Sequence, residues 1–163
     1  MPRFSHFALR DAALTGLAAV AWTADRRLRH REGALPTAVA VAAGVAAPTV
    51  AFLLHEWGHL AGAILSGGVA RPPAHLASPF LFNFDCEASD RRQFLAMSIG
   101  GYAASAVGLV AILAGTPPTL SGRLARRLTA LGVLATIALE VPTTIRVLRG
   151  GPLPSGGVYA NDA

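Results

Sequence analysis

The chain contains few charged residues and no lysine. Of its 163 residues, 14% are charged, against roughly a quarter in soluble domains, and 53% are hydrophobic. This composition gives a small monomer too little polar surface to dissolve in water. The single cysteine, Cys86, excludes a disulfide scaffold, and the high apolar content excludes an unfolded chain. The sequence therefore indicates an integral membrane protein.

The basic residues are all arginine, 14 in number, and the net charge is +5. They lie mainly at the ends of apolar runs, with the densest groups at positions 26–31, 91–92 and 123–127. Arginine that flanks apolar segments is typical of membrane proteins. We therefore expect the lipid bilayer as the surroundings, no nucleic-acid partner, and a multi-pass chain in the cell membrane.

Two long runs lack Asp, Glu, Lys and Arg: residues 33–54, with 22 residues, and 93–122, with 30. Each is long enough to cross a hydrocarbon core of about 30 Å as a helix. The sequence predicts one all-α membrane domain, 1–163, with three or four transmembrane helices. The predicted segments are 36–66, 91–115 and 123–150, followed by a tail, 151–163. We expect Pro48 to kink or split the first of these, and Pro142 to interrupt the last.

The N-terminal segment, residues 1–32, leaves several possibilities open. Its apolar stretch 12–24 has 13 residues, which give about 20 Å of helix. It crosses the membrane only if residues 4–10 belong to the same helix, and otherwise forms an interfacial helix. A cleaved signal peptide is a further alternative. The loop 67–90 is rich in aromatic residues, for which we expect contact with the membrane interface.

An H-E-x-x-H motif lies inside the first long apolar segment, with His55, Glu56 and His59 as its defining residues. Four residues of helix correspond to about 40° of rotation and 6 Å of rise, so both imidazoles project from one face and can bind one Zn²⁺. Glu56 then stands beside the metal as general base and acid. The alternative is that these are buried polar residues that hold helices together. Ionisable groups inside a membrane segment favour the functional interpretation.

The sequence around the motif, LLHEWGHLAGA at 53–63, resembles the zinc helix of the site-2 protease class of intramembrane metallopeptidases, peptidase family M50. The stretch SDRRQFLAMSIGGYAA at 89–104 resembles the start of that family's next core helix, with Gly101 and Ala104 in place of its usual Pro and Asn. The resemblance covers residues 50–110. It implies a helical membrane fold, zinc, and peptide-bond hydrolysis inside the bilayer.

The third metal ligand is the least determined part of the site. The resemblance implies an Asp in an Asn-Pro…Asp-Gly pattern, which this chain lacks. Glu140 is our prediction, because Glu140 and His59 both lie roughly 10–15 Å of helical rise from the same membrane face. Asp162 in the tail is the competitor. Alternatively, Glu140 is a structural carboxylate that is neutral or paired with Arg146.

The sequence thus predicts a zinc-dependent intramembrane endopeptidase in which His55, His59 and Glu140 bind the metal and Glu56 is the catalytic base. Its expected partner is a membrane protein or peptide substrate. The alternative is an inactive membrane binding or scaffold protein that resembles the same family. A protease whose site lies outside the lipid is a further alternative, disfavoured by the apolar segment 39–54. The remaining histidines are not expected at the site; they are His6, His30 and His75. Sidedness stays open, since the arginine groups and the resemblance favour opposite orientations.

Overall fold

The computed structural model describes residues 2–154, which form four helices and one small β-hairpin. The helices are α1 (Phe4–Leu28), α2 (Ala34–Leu65), α3 (Arg91–Gly115) and α4 (Leu120–Leu148), and the strands are β1 (Ala70–Arg71) and β2 (Asn83–Phe84). Helices α2, α3 and α4 are long and apolar enough to cross a membrane. This confirms the predicted fold class, an all-α protein with several helices of transmembrane length.

Helix α2 continues through Pro48 as a single helix, so the expected split into two helices does not occur. Packing against α4 stabilises this region: a Cβ atom on Gly44 would lie only 2.9 Å from the carbonyl oxygen of Ser121. Helix α4 likewise runs through Pro142. It begins before the predicted boundary because the hydroxyl of Thr119 accepts a hydrogen bond from the N–H of Gly122.

Helices α2 and α3 cross at very short distance because glycines meet at their interface. A Cβ atom on Gly58 would lie 2.5 Å from the carbonyl oxygen of Gly100, and one on Gly62 would lie 2.3 Å from that of Ala96. Small residues one turn apart are the usual means by which membrane helices approach this closely. The crossing brings side chains of α2 within reach of the α3 backbone.

The hairpin covers the end of the bundle where α2 ends and α3 begins. Its strands are antiparallel, with Ala70 opposite Phe84 and Arg71 opposite Asn83. Contrary to our expectation of contact with the membrane interface, Phe82 and Phe84 are buried in the apolar core. The buried residues of this core are Phe7, Leu60, Ala63, Leu81, Phe82, Phe84, Phe94, Met97 and Val147. The loop between the strands is therefore an integral part of the fold.

Helix α1 includes residues 4–10 and packs along α2. Its two buried carboxylates both have partners. Near its start, Asp11 accepts a 2.9 Å hydrogen bond from the indole N–H of Trp57 in α2. Near its end, Asp25 accepts a 2.9 Å hydrogen bond from the hydroxyl of Ser121 in α4. These contacts, at opposite ends of the helix, attach α1 to the bundle along its length.

Candidate metal centre

Three side chains from two helices converge inside the bundle. The Nε2 atoms of His55 and His59, one turn apart on α2, lie 2.9 Å from each other. Each also lies 3.2 Å from one carboxylate oxygen of Glu140 on α4. Both histidines are buried, and Glu140 is largely buried. The ligand atoms of these three residues all lie within 4.8 Å of one another, and the group could hold a metal ion.

Backbone carbonyls of α3 orient the two rings. Nδ1 of His55 donates a hydrogen bond to the carbonyl oxygen of Gly101, at 3.1 Å, and lies 2.9 Å from the hydroxyl of Ser105. Nδ1 of His59 donates to the carbonyl oxygen of Met97, at 2.9 Å. A carbonyl can only accept, so the proton of each neutral ring is assigned to Nδ1. Each Nε2 then presents a lone pair to the centre of the group.

In this arrangement the Nε2 lone pairs of two imidazoles and a carboxylate point toward one another. A positive charge must lie among them, supplied by ring protonation or by a metal ion. The separations of 2.9–3.2 Å approach the ligand-to-ligand distance of about 3.3 Å in a tetrahedral zinc site with bonds of about 2.0–2.1 Å. Imidazole nitrogens whose other N–H is bonded to a carbonyl are typical metal ligands. The donor set therefore fits zinc.

Glu56 lies beside this group but is not part of it. Its side chain is buried, and Oε2 accepts a 3.0 Å hydrogen bond from the backbone N–H of Leu81 in the loop between the strands. Glu56 shares with the metal-ligand group a cleft that contains about 350 Å³ of empty space, part of it open to the outside. The cleft is lined by Glu56, His59, Phe80, Phe82, Phe84, Met97 and Glu140. A carboxylate at the edge of such a cleft can exchange a proton with a molecule bound there.

Gly101 provides the space that the ring of His59 occupies. A Cβ atom at this position would lie 2.2 Å from Cε1 of His59. The contacts of Gly101 and Ser105 with His55 could not be expected from the motif alone. One signal was available: Met97, Gly101 and Ser105 recur at the four-residue spacing of the H-E-x-x-H histidines. Antiparallel helices with matching spacing place such positions opposite each other.

The structure also locates the other residues named from the sequence, apart from Asp162. The ion pairs of Glu140 within residues 2–154 are to His55 and His59, not to Arg146. His6 accepts a hydrogen bond from the N–H of Arg3 at the start of α1. Neither His30 nor His75 belongs to the metal-ligand group. The competing ligand, Asp162, lies outside the described residues.

Arg10 of α1 fastens the loop that covers the cleft, a role that sequence reasoning missed. Its guanidinium group pairs with Asp11 at 2.7 Å. It also donates to the carbonyl oxygens of Leu76, at 3.0 Å, and Ser78, at 2.6 Å. Because Leu81 bonds to Glu56, the loop is attached on both sides of the cleft.

The turn that follows β2 is ordered by Asp85. Its carboxylate accepts hydrogen bonds from the N–H groups of Ala88 and Glu87, and pairs with Arg71 at 2.8 Å. The Ala88 hydrogen bond is the main cause that holds the pKa of Asp85 below its usual value. Burial raises the pKa of the neighbouring Cys86 thiol. Cys86 packs against the apolar core and can therefore report on its opening.

Comparison of the chain with models of known protein families, with curated proteins and with solved structures finds no match. Any assignment of function therefore depends on the geometry of the residues themselves.

Proposed function

We propose that the protein is a zinc-dependent endopeptidase that cleaves a peptide bond of a membrane-embedded substrate in the cell membrane, as its resemblance to the site-2 protease class implies. The observation that carries the proposal is the convergence of His55 and His59 with Glu140. The α3 carbonyls direct the Nε2 lone pairs of both rings toward a single point. The motif spacing alone does not require that orientation.

Each residue of the site has a separate task. His55, His59 and Glu140 hold the zinc ion, which when bound polarises the peptide carbonyl and makes water more acidic. Glu56 accepts the proton of the attacking water and delivers it to the leaving nitrogen. The hydrogen bond from Leu81 fixes Oε2 of Glu56 and leaves the other oxygen for proton transfer. The cleft thus supplies a base at a defined position.

The shape of the cleft favours an extended substrate. An α-helix with side chains is about 10–12 Å wide, and its backbone groups are already hydrogen-bonded to one another. The cleft contains only about 350 Å³ of empty space and is bordered by Phe80, Phe82 and Phe84. We therefore propose that a transmembrane segment of the substrate unwinds before its peptide bond reaches Glu56.

The second candidate function is an inactive membrane protein that keeps the metal for binding or scaffolding. The observation that favours it is the covered cleft: Phe80 and Phe82 line it, and Leu81 bonds directly to the proposed base. In this case the loop is a permanent cover. Both candidate functions require the metal, but only the first includes catalysis.

The experiment compares the full chain with Glu56→Gln, and with Glu87→Gln as a matched control on an exposed glutamate. Zinc content and cleavage of a panel of transmembrane peptides, each with a fluorophore and a quencher, are measured in detergent. We expect zinc in all three proteins. Loss of the general base should slow cleavage by about 100-fold or more in Glu56→Gln alone. A chelator should stop the parent and zinc should restore it. A zinc-loaded parent that cleaves no peptide would favour the inactive alternative.

A further inference from the structure

A groove lies between α1, α2 and α3, near the end of the bundle opposite the hairpin. It contains about 830 Å³ of empty space, part of it open to the outside. Its α1 side is formed by residues at helical spacing, including Ala18, Trp22 and Arg26, and its other sides include Val50 and Ile112. The walls are thus largely apolar, with one cationic side chain.

The dimensions of the groove correspond to one leaflet of a bilayer. Along α1 it extends from Thr15 to Arg26, which is about 16 Å of helical rise. Half of a hydrocarbon core of about 30 Å is about 15 Å. Arg26 lies next to the turn between α1 and α2, and Thr15 lies near the middle of α1. An acyl chain that entered at Arg26 would therefore end near the bilayer midplane.

The charges at the Arg26 end favour an anionic head group. Arg26 is exposed and has no hydrogen bond or ion pair within residues 2–154. Arg126 also lies at this end, because its guanidinium group donates to the carbonyl and, at 2.9 Å, to the hydroxyl of Thr116, which lines the groove. Further arginines of the same end are Arg27, Arg29, Arg31, Arg123 and Arg127. Within residues 2–154, the carboxylates of this end are Asp25, which is hydrogen-bonded to Ser121, and Glu32.

We infer that this groove binds one anionic phospholipid, with an acyl chain along α1 and the phosphate on Arg26. Basic pockets between membrane helices are a recognised means of binding anionic head groups. Trp22, one turn before Arg26, has the amphipathic ring that favours the membrane interface. None of the residues that line the groove belongs to the metal-ligand group, and the inference does not depend on the proposed function.

The test is native mass spectrometry of the full chain, purified in detergent and exposed to equimolar phosphatidylglycerol and phosphatidylcholine of the same chain length. Arg26→Gln is compared with Arg29→Gln, an exposed arginine outside the groove. Ala19→Phe, which fills the groove, is compared with Ala13→Phe, on an exposed α1 position outside it. Circular dichroism establishes that each variant retains its helices. In a further experiment, excess inorganic phosphate is added to the protein together with the lipids.

We expect the parent to retain one phosphatidylglycerol in preference to phosphatidylcholine. Arg26→Gln should reduce this preference about fivefold, the contribution of one arginine near an anionic surface. Ala19→Phe should remove the bound lipid, whereas Ala13→Phe should behave as the parent does. Arg29→Gln should reduce the preference for phosphatidylglycerol by less than Arg26→Gln does.

Three results would overturn the inference. Equal effects of Arg26→Gln and Arg29→Gln would indicate a general basic surface. Displacement of the lipid by inorganic phosphate would indicate a simple anion site. Loss of a dimer in Ala19→Phe, with lipid retention unchanged, would indicate that a second copy occupies the groove.

Discussion

Oε2 of Glu56 and the backbone N–H of Leu81 lie 3.0 Å apart and form a hydrogen bond between α2 and the loop that covers the metal centre. Arg10 attaches the same loop to α1 through the carbonyl oxygens of Leu76 and Ser78. Access to the cleft from this side therefore requires that hydrogen bonds to α1 and α2 be exchanged for others. The free energy needed to open the cleft therefore depends also on a residue outside the H-E-x-x-H motif, Arg10.

Arg10→Gln should loosen the loop and expose Cys86. Hydrogen bonds from a charged donor contribute about 1.5–3 kcal/mol each, so we expect maleimide to modify Cys86 at least about tenfold faster. The rate is measured at constant pH, because burial raises the pKa of this thiol and the thiolate is the reactive form. Arg27→Gln, near the other end of α1, is the control. Unchanged labelling in both variants would show that Arg10 does not hold the loop closed.

Glu140→Gln should weaken zinc binding by about tenfold or more, since an amide lacks the negative charge that the metal needs beside His55 and His59. Truncation after Gly157, which removes Asp162, should leave the affinity nearly unchanged. Chelator competition in detergent measures both, and His75→Ala controls for the loss of a histidine outside the site. If truncation removes the metal while Glu140→Gln retains it, Asp162 is the ligand and Glu140 has a structural role.

Gly101→Ala should reduce zinc affinity without altering any ligand. Its Cβ atom would lie 2.2 Å from Cε1 of His59, so the ring or helix α3 must move. Gly108→Ala is the control on the same helix, because its nearest contact, at 3.5 Å to the side chain of Leu54, is ordinary van der Waals contact. The measurement is zinc stoichiometry together with thermal unfolding. Equal zinc content in Gly101→Ala and Gly108→Ala would show that the site still binds zinc after the ring of His59 or helix α3 has moved.

Cysteines introduced at Arg29 and Arg123 should label from the same side of the membrane, and one at Glu87 from the opposite side. All three are placed in a Cys86→Ser chain. The first two positions lie at the end of the bundle where Asp25 of α1 bonds to Ser121 of α4, whereas residue 87 lies in the turn after β2. Impermeant maleimide added to sealed, oriented vesicles provides the measurement. Opposite labelling of Arg29→Cys and Arg123→Cys would contradict the arrangement of α1 and α4 across a membrane.

The sequence predicted the helices well because apolar runs bounded by arginine leave few alternatives in a membrane protein. The H-E-x-x-H spacing likewise predicted that His55 and His59 share a face. A depth argument predicted that Glu140 lies at the level of His59, and the structure places a carboxylate oxygen of Glu140 3.2 Å from each ring. Depth could be predicted because helical rise per residue is nearly constant.

The loop and the orientation of the rings could not be predicted in this way. The contacts of Arg10 with Leu76 and Ser78 join residues far apart in the chain, and their acceptors are backbone carbonyls, which every sequence contains. Met97 and Gly101 act through their backbone carbonyl oxygens, so their side-chain types do not indicate this role and only their four-residue spacing does. The continuation of α2 through Pro48, where α4 packs closely against Gly44, is likewise a tertiary feature that the sequence did not show.

The close crossing of α2 and α3 determines how the rings of His55 and His59 are oriented. The rings of His55 and His59 are aimed by main-chain carbonyls whose position is determined by the distance between two helices, which Gly58 and Gly100 keep short. Removal of a side chain cannot delete those acceptors, but any force that separates the helices withdraws both at once. A change in bilayer thickness or lateral pressure that separated α2 from α3 would therefore displace both acceptors together and, with them, the orientation of the two rings.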